Sequence, residues 1–104
     1  MEALKVSVKE VIKTKSGIIF KVGEIVTCIP SNNFVLIESE DKKCRIPYTK
    51  ANKYLTKFTK EPSFKTLEKH SLSGITKTPI GNKVEMDGCD MYGFPSWFII
   101  NGLI

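Results

Sequence analysis

The chain has 104 residues, of which 41% are apolar and 10% aromatic, enough to bury one modest core but not to form two independent domains. Sixteen Lys and Arg against eleven Asp and Glu give a net charge of +5, and Arg45 is the only arginine, so attraction to polyanions is favoured over bidentate base reading. Cys28, Cys44 and Cys89 are odd in number and lack C-x-x-C spacing, which argues against a disulfide framework or a zinc site. No apolar run approaches the ~20 residues of a membrane span and no signal-peptide pattern opens the chain, so a cytoplasmic protein without membrane association is expected.

Residues 3–47 read as β-structure, because short β-branched runs are divided by Lys15-Ser-Gly17, Ser31-Asn-Asn33 and Glu40-Asp-Lys-Lys43. Strands are expected near 5–14, 18–30, 34–39 and 43–47, with Val22-Gly23 bending the second. Several short strands at this spacing, followed by Ile46-Pro47-Tyr48, look similar to a small SH3-like barrel. Fold likeness of this kind carries no function.

The pattern changes at Tyr48. Ala51, Tyr54, Leu55 and Phe58 recur at helical spacing, whereas Lys50, Lys53, Lys57 and Lys60 lie away from that face, so residues 49–60 read as a basic amphipathic helix. A solvated face above an ordinary core contact explains the same lysines, and a strand through 54–59 is the structural competitor. Pro62 restarts the chain, Ser63 can cap a second helix over 64–72, and Gly74 is placed to end it. Residues 75–85 can then form a hairpin around Ile80-Gly-Asn82, giving the order helix, turn, helix, β-wing.

The run Thr66-Leu-Glu-Lys-His-Ser-Leu-Ser-Gly-Ile75, with Thr78-Pro-Ile-Gly-Asn-Lys83, resembles the recognition helix and wing of MerR-type and excisionase-like DNA-binding domains over residues 51–85. That resemblance implies that the second helix enters the major groove of double-stranded DNA and that the wing holds the backbone. Lys65, Thr66 and Lys69 would then face DNA, with Lys77 and Lys83 on phosphates. Lys57 and Lys60 of the preceding basic segment complete this nucleic-acid set. His70 stands where an aromatic is usual in that family, and the wing has no arginine.

The spacing Thr78-x-x-Gly-x-x-Val-Glu-x-Asp-Gly-x-Asp-x-x-Gly-x-Pro-Ser-Trp97, ending in Gly-Leu-Ile104, resembles a module that closes many small tailed-phage proteins of unknown function. The resemblance implies an origin in a phage and a bacterial host cell, not an activity. Within it, Glu85, Asp87, Asp90, Met91 and Tyr92 form an acidic segment that, if exposed, suits contact with a host protein such as a defence nuclease. A folded turn explains the same residues, since Asp87-Gly88 favours positive φ and aspartates bond their own backbone. The apolar end is expected to start a short helix at Pro95 or Ser96 and stop it at Asn101-Gly102; a face left open there would serve a homodimer.

Catalytic patterns are missing from the sequence. His70 is the only histidine and has no nucleophile fixed beside it. Glu85, Asp87 and Asp90 depart from the alternate-position spacing of a calcium loop, and Gly81, Gly88 and Gly93 are too scattered for a phosphate loop. The sequence therefore predicts an α+β chain with no catalytic residues, metal site or cofactor. An SH3-like barrel over 1–48 would pack on a helix-turn-helix-like half over 49–104. DNA binding is the favoured function, inhibition of a host enzyme the alternative, and a virion component the third.

Overall fold

The computed structural model describes residues 3–103 and shows an α+β fold of eight short strands and three short helices. Strands β1 (Leu4–Ser7), β4 (Ile25–Pro30), β5 (Phe34–Ser39) and β6 (Lys42–Pro47) form an antiparallel sheet in the order β1-β4-β5-β6. Alternation assigns its faces. Val6 lies opposite Val26, Cys28 opposite Ile37, and Val35 opposite Ile46, all buried on one side. Lys5, Ile29, Lys43 and Arg45 project from the other side and are exposed.

The expected strands over 5–14 and 18–30 are each broken. Val8 turns the chain away from β1, and Gly23, at φ +87°, makes the bend that the Val22-Gly23 pair announced. The intervening residues form a separate two-stranded hairpin, β2 (Ile12–Lys13) with β3 (Ile19–Phe20). It folds back so that Ile12 and Phe20 join the core. Among the described residues no sheet closes on itself.

Lys42 ties this hairpin to the sheet. Its Nζ lies 2.6 Å from Glu24 Oε2, donates to the Ile19 carbonyl at 3.0 Å and sits 4.8 Å from the centre of the Phe20 ring. Bonds from Lys42, from Ser39 and from the Lys21 backbone N–H hold the Glu24 carboxyl at about 2, below its ordinary value of 4.5. A carboxyl lowered on folding stabilises the protein above its unfolded value, and that contribution is lost as pH falls toward the folded value. Acidification from pH 5 to pH 2 should therefore remove it. Glu24→Gln should flatten the dependence of the melting temperature on pH across this window. An identical slope in both proteins would show that the pair contributes nothing.

Helix α1 (Tyr48–Tyr54) is shorter than the helix expected over 49–60. Leu55 is extended and bridges Val8, the Thr56 N–H donates to the Ser7 carbonyl, and the Lys9 N–H donates to the Tyr54 carbonyl. The free edge of β1 thus captures residues that helical spacing would have kept in the helix. Lys57 then takes φ +70° and redirects the chain. The connection to α2 (Phe64–Ser73) consequently runs over residues 55–63, not the four-residue turn expected from a helix-turn-helix.

Helix α2 follows its sequence signals closely. The Ser63 hydroxyl accepts from the Thr66 N–H, and Gly74 ends the helix in the left-handed region at φ +76°. The hairpin β7 (Ile75–Lys77) and β8 (Lys83–Glu85) comes next, and α3 (Trp97–Ile100) starts at Ser96, whose hydroxyl accepts from the Ile99 N–H.

One hydrophobic cluster joins the two ends of the chain. Tyr48, Phe58, Phe94, Trp97 and Phe98 are buried together with Val6, Val26 and Ile37. Phe94 meets both Tyr48 and Phe58 edge to face, with ring centres 6.1 and 5.6 Å apart.

Candidate nucleic-acid interface

Helix α2 presents three sides, set by its 100° step per residue. Leu67 points into the core, Thr66 and His70 are half-buried toward the β7–β8 hairpin, Lys69 is exposed next to Thr66, and Lys65 is exposed on the side opposite Leu67. Glu68 falls on the far flank, away from the hairpin side. The hairpin adds Lys77 and Lys83, which stand directly opposite each other in the register. Like charges at paired positions in an antiparallel ladder are destabilising. An anion between them would offset that cost.

Two clefts open between helix and hairpin. The larger, of about 690 Å³, is lined by His70, Thr76, Lys77 and Lys83 but also by Glu85. The smaller, of about 220 Å³, is lined by Lys60, Thr66, His70, Lys77, Gly81 and Trp97, among others, and by no carboxylate. Thr59, which lines it, is held by two bonds to the Pro79 carbonyl, from its N–H at 2.7 Å and its hydroxyl at 2.9 Å. Gly81, at φ +86°, lies beside Thr59, where an added Cβ would come within 3.4 Å of the Thr59 methyl.

His70 Nδ1 is 2.9 Å from the Thr76 hydroxyl. Thr76 is buried, with 1% exposure, so this bond satisfies a polar group that has no access to water. Nothing in the sequence paired these two residues, because they meet only when the helix ends at Gly74 and the chain reverses into β7.

Of the residues expected to contact nucleic acid, Lys60, Thr66 and Lys77 line the smaller cleft and Lys77 and Lys83 the larger. Lys65 and Lys69 are exposed on α2 and line neither cleft. Lys57 is exposed at the turn after Leu55, outside the clefts. Among the described residues the ion pairs are Lys42–Glu24 and Lys43–Glu38, both at the N-terminal sheet. Lys57, Lys60, Lys65, Lys69, Lys77 and Lys83 therefore have no carboxylate within 4.0 Å among the described residues.

The acidic segment divides into an inward and an outward part. Asp90 is committed to its own loop: Oδ1 accepts from the Tyr92 and Phe94 N–H groups at 3.0 Å each, and Oδ2 from the Thr78 hydroxyl at 2.8 Å and the Asn82 amide at 3.3 Å. Tyr92 is half-buried against the core. Glu85, Asp87 and Met91 remain exposed, Met91 by 74%. The Ser96 hydroxyl donates to the Met86 carbonyl, and its N–H donates to the Gly88 carbonyl at 3.1 Å. The Thr, Asp, Gly and Ser positions of the closing motif thus knit one loop together.

Comparison with known protein families, characterised proteins and solved structures finds no match to this chain. No helix among the described residues is long and apolar enough to cross a membrane, and no group of His, Cys, Asp and Glu among them could hold a metal ion.

Proposed function

We propose that the protein is a small accessory factor that associates with double-stranded DNA through α2 and the β7–β8 hairpin. The observation that carries this reading is the placing of exposed lysines on α2 and at paired positions of the β7–β8 hairpin; the six from Lys57 to Lys83 have no carboxylate partner among the described residues, a property they share with Lys5, Lys9, Lys13, Lys15, Lys21, Lys50 and Lys53. Unpaired lysines neutralise phosphates and release counterions, with little direct reading of base sequence. The short α1 and the nine-residue connection mean that the contact relies on helix and wing without a helix-turn-helix frame. A phage accessory role belongs to this proposal and rests on the closing motif alone.

We propose a partly open SH3-like arrangement for the N-terminal half. Residues 55–56 lie along the edge of β1 away from β4, and α1 fills the step between β6 and that segment. This half serves as the platform against which Phe94 and Trp97 fix the basic surface.

Charge reversal tests the assignment. Lys65→Glu with Lys69→Glu should weaken duplex binding at about 50 mM salt by about tenfold or more and leave the melting temperature unchanged, because both side chains are exposed. Lys13→Glu with Lys15→Glu, on and beside the β2–β3 hairpin, changes the net charge equally and should matter far less. Equal losses from the two pairs would show that only the overall charge acts, and would end the assignment to α2.

A second reading has one observation in its favour. Glu85, Asp87 and Met91 stand exposed around a loop stiffened by Asp90, which suits contact with a protein partner.

A further inference from the structure

We infer that the smaller cleft between α2 and the hairpin is a binding site for a single phosphate-class oxyanion, held by Lys60, His70 and Lys77 with Thr66 at its side. The inference deepens the DNA reading and rests on it for the source of the phosphate, which would be a backbone or terminal group of the nucleic acid.

The lining selects this ligand. Lys60 and Lys77 bring two cations to one opening, Thr66 adds a hydroxyl, and no carboxylate shares the wall, unlike the larger cleft with its Glu85. Lysines serve phosphate as point charges, without the planar fork that arginine uses. The volume of about 220 Å³ is below the ~300–1,000 Å³ of pockets that enclose drug-sized ligands, so one tetrahedral group fits where a whole nucleotide would not.

His70 is arranged for the same task. Its Nδ1 is occupied by Thr76, whereas Nε2 makes no hydrogen bond within the protein and is not sealed from solvent. A hydroxyl can donate or accept, so Thr76 serves the ring in any of its three states. It donates to Nδ1 of the neutral Nε2–H tautomer, or accepts from Nδ1–H of the imidazolium or of the other neutral tautomer. In the first two states Nε2 carries a proton and can donate to an oxyanion; in the third it is an acceptor, so a bound oxyanion selects the first two. Trp97, buried beneath the cleft and the only tryptophan in the chain, supplies a fluorescence signal at the site.

The test is a titration of the full chain with inorganic phosphate at constant ionic strength, followed by Trp97 fluorescence and by the backbone amide spectrum. Saturable shifts confined to residues around His70, Lys77 and Gly81 are expected, with millimolar affinity. Lys60→Met with Lys77→Met should weaken this binding at least tenfold, whereas Lys13→Met with Lys15→Met should leave it unchanged. Both pairs are exposed, and an unaltered melting temperature confirms that each variant is folded. Shifts that never saturate, that scatter over all surface lysines, or that respond equally to both pairs would overturn the site.

Parallel titration with a duplex separates the two readings. Duplex binding without a saturable phosphate response removes the site and leaves DNA association standing. Saturable phosphate binding without any duplex binding keeps the site and removes its assignment to nucleic acid.

Discussion

Asp90→Ala should destabilise the fold by about 3 kcal/mol or more, because one carboxylate accepts four hydrogen bonds that join Thr78, Asn82, Tyr92 and Phe94. Hydrogen bonds to charged groups contribute about 1.5–3 kcal/mol each, and donors left without acceptors in a half-buried loop incur a desolvation cost. The loss should not be the sum of four bonds, since water will reach some of the freed donors. For a domain of this size each kcal/mol moves the melting temperature by about 4–8 °C, so a fall of roughly 12–24 °C is expected by circular dichroism. Asp90→Asn should lie between wild type and alanine: its oxygen can still serve the two backbone N–H groups, but its amide cannot accept from Asn82. A fall of less than ~4 °C for alanine would mean that the core contacts of Phe94 and Trp97 hold the loop without the carboxylate.

The second large effect is the response of duplex binding to salt. If the six unpaired lysines from Lys57 to Lys83 all meet phosphates, raising salt from about 50 to about 200 mM should weaken affinity by about a thousandfold. Fluorescence anisotropy with a labelled duplex measures this directly. A change below about tenfold would mean that one or two contacts at most are made, too few for the proposed surface. Absence of binding at the lower salt would end the DNA reading and turn attention to a protein partner at Glu85, Asp87 and Met91.

Local chemistry made several elements legible in the sequence. Ser63 and Gly74 marked both ends of α2 to within one residue, Ser96 marked the start of α3, and the turn residues between Lys77 and Lys83 gave the hairpin. The turn reading matches at Asp90, which bonds the Tyr92 and Phe94 N–H groups, a short-range event for an aspartate; at Asp87-Gly88 the expected positive φ is absent, and that geometry falls at Gly93 instead. The bond of Asp90 to Thr78 spans twelve residues and left no trace in the sequence.

The first helix shows where periodicity fails. Ala51, Tyr54, Leu55 and Phe58 fit one helical face, yet Leu55 is buried by an extended chain beside β1, and Phe58, beyond the turn at Lys57, against the Phe94 ring. Short apolar patterns do not distinguish these outcomes, and the free strand edge decides. The clefts were illegible for a related reason: the lysines were visible singly, but the His70–Thr76 bond and the cross-strand pairing of Lys77 with Lys83 depend on the chain reversing after Gly74.

Lys57 sets durability against charge. A side chain bearing a Cβ is disfavoured at φ +70° by about 1–2 kcal/mol, a penalty that glycine escapes. Glycine there would relax the turn after Leu55 and remove one of the six free cations in the same step. The most direct route to a hardier protein at this position therefore leads toward a less basic one.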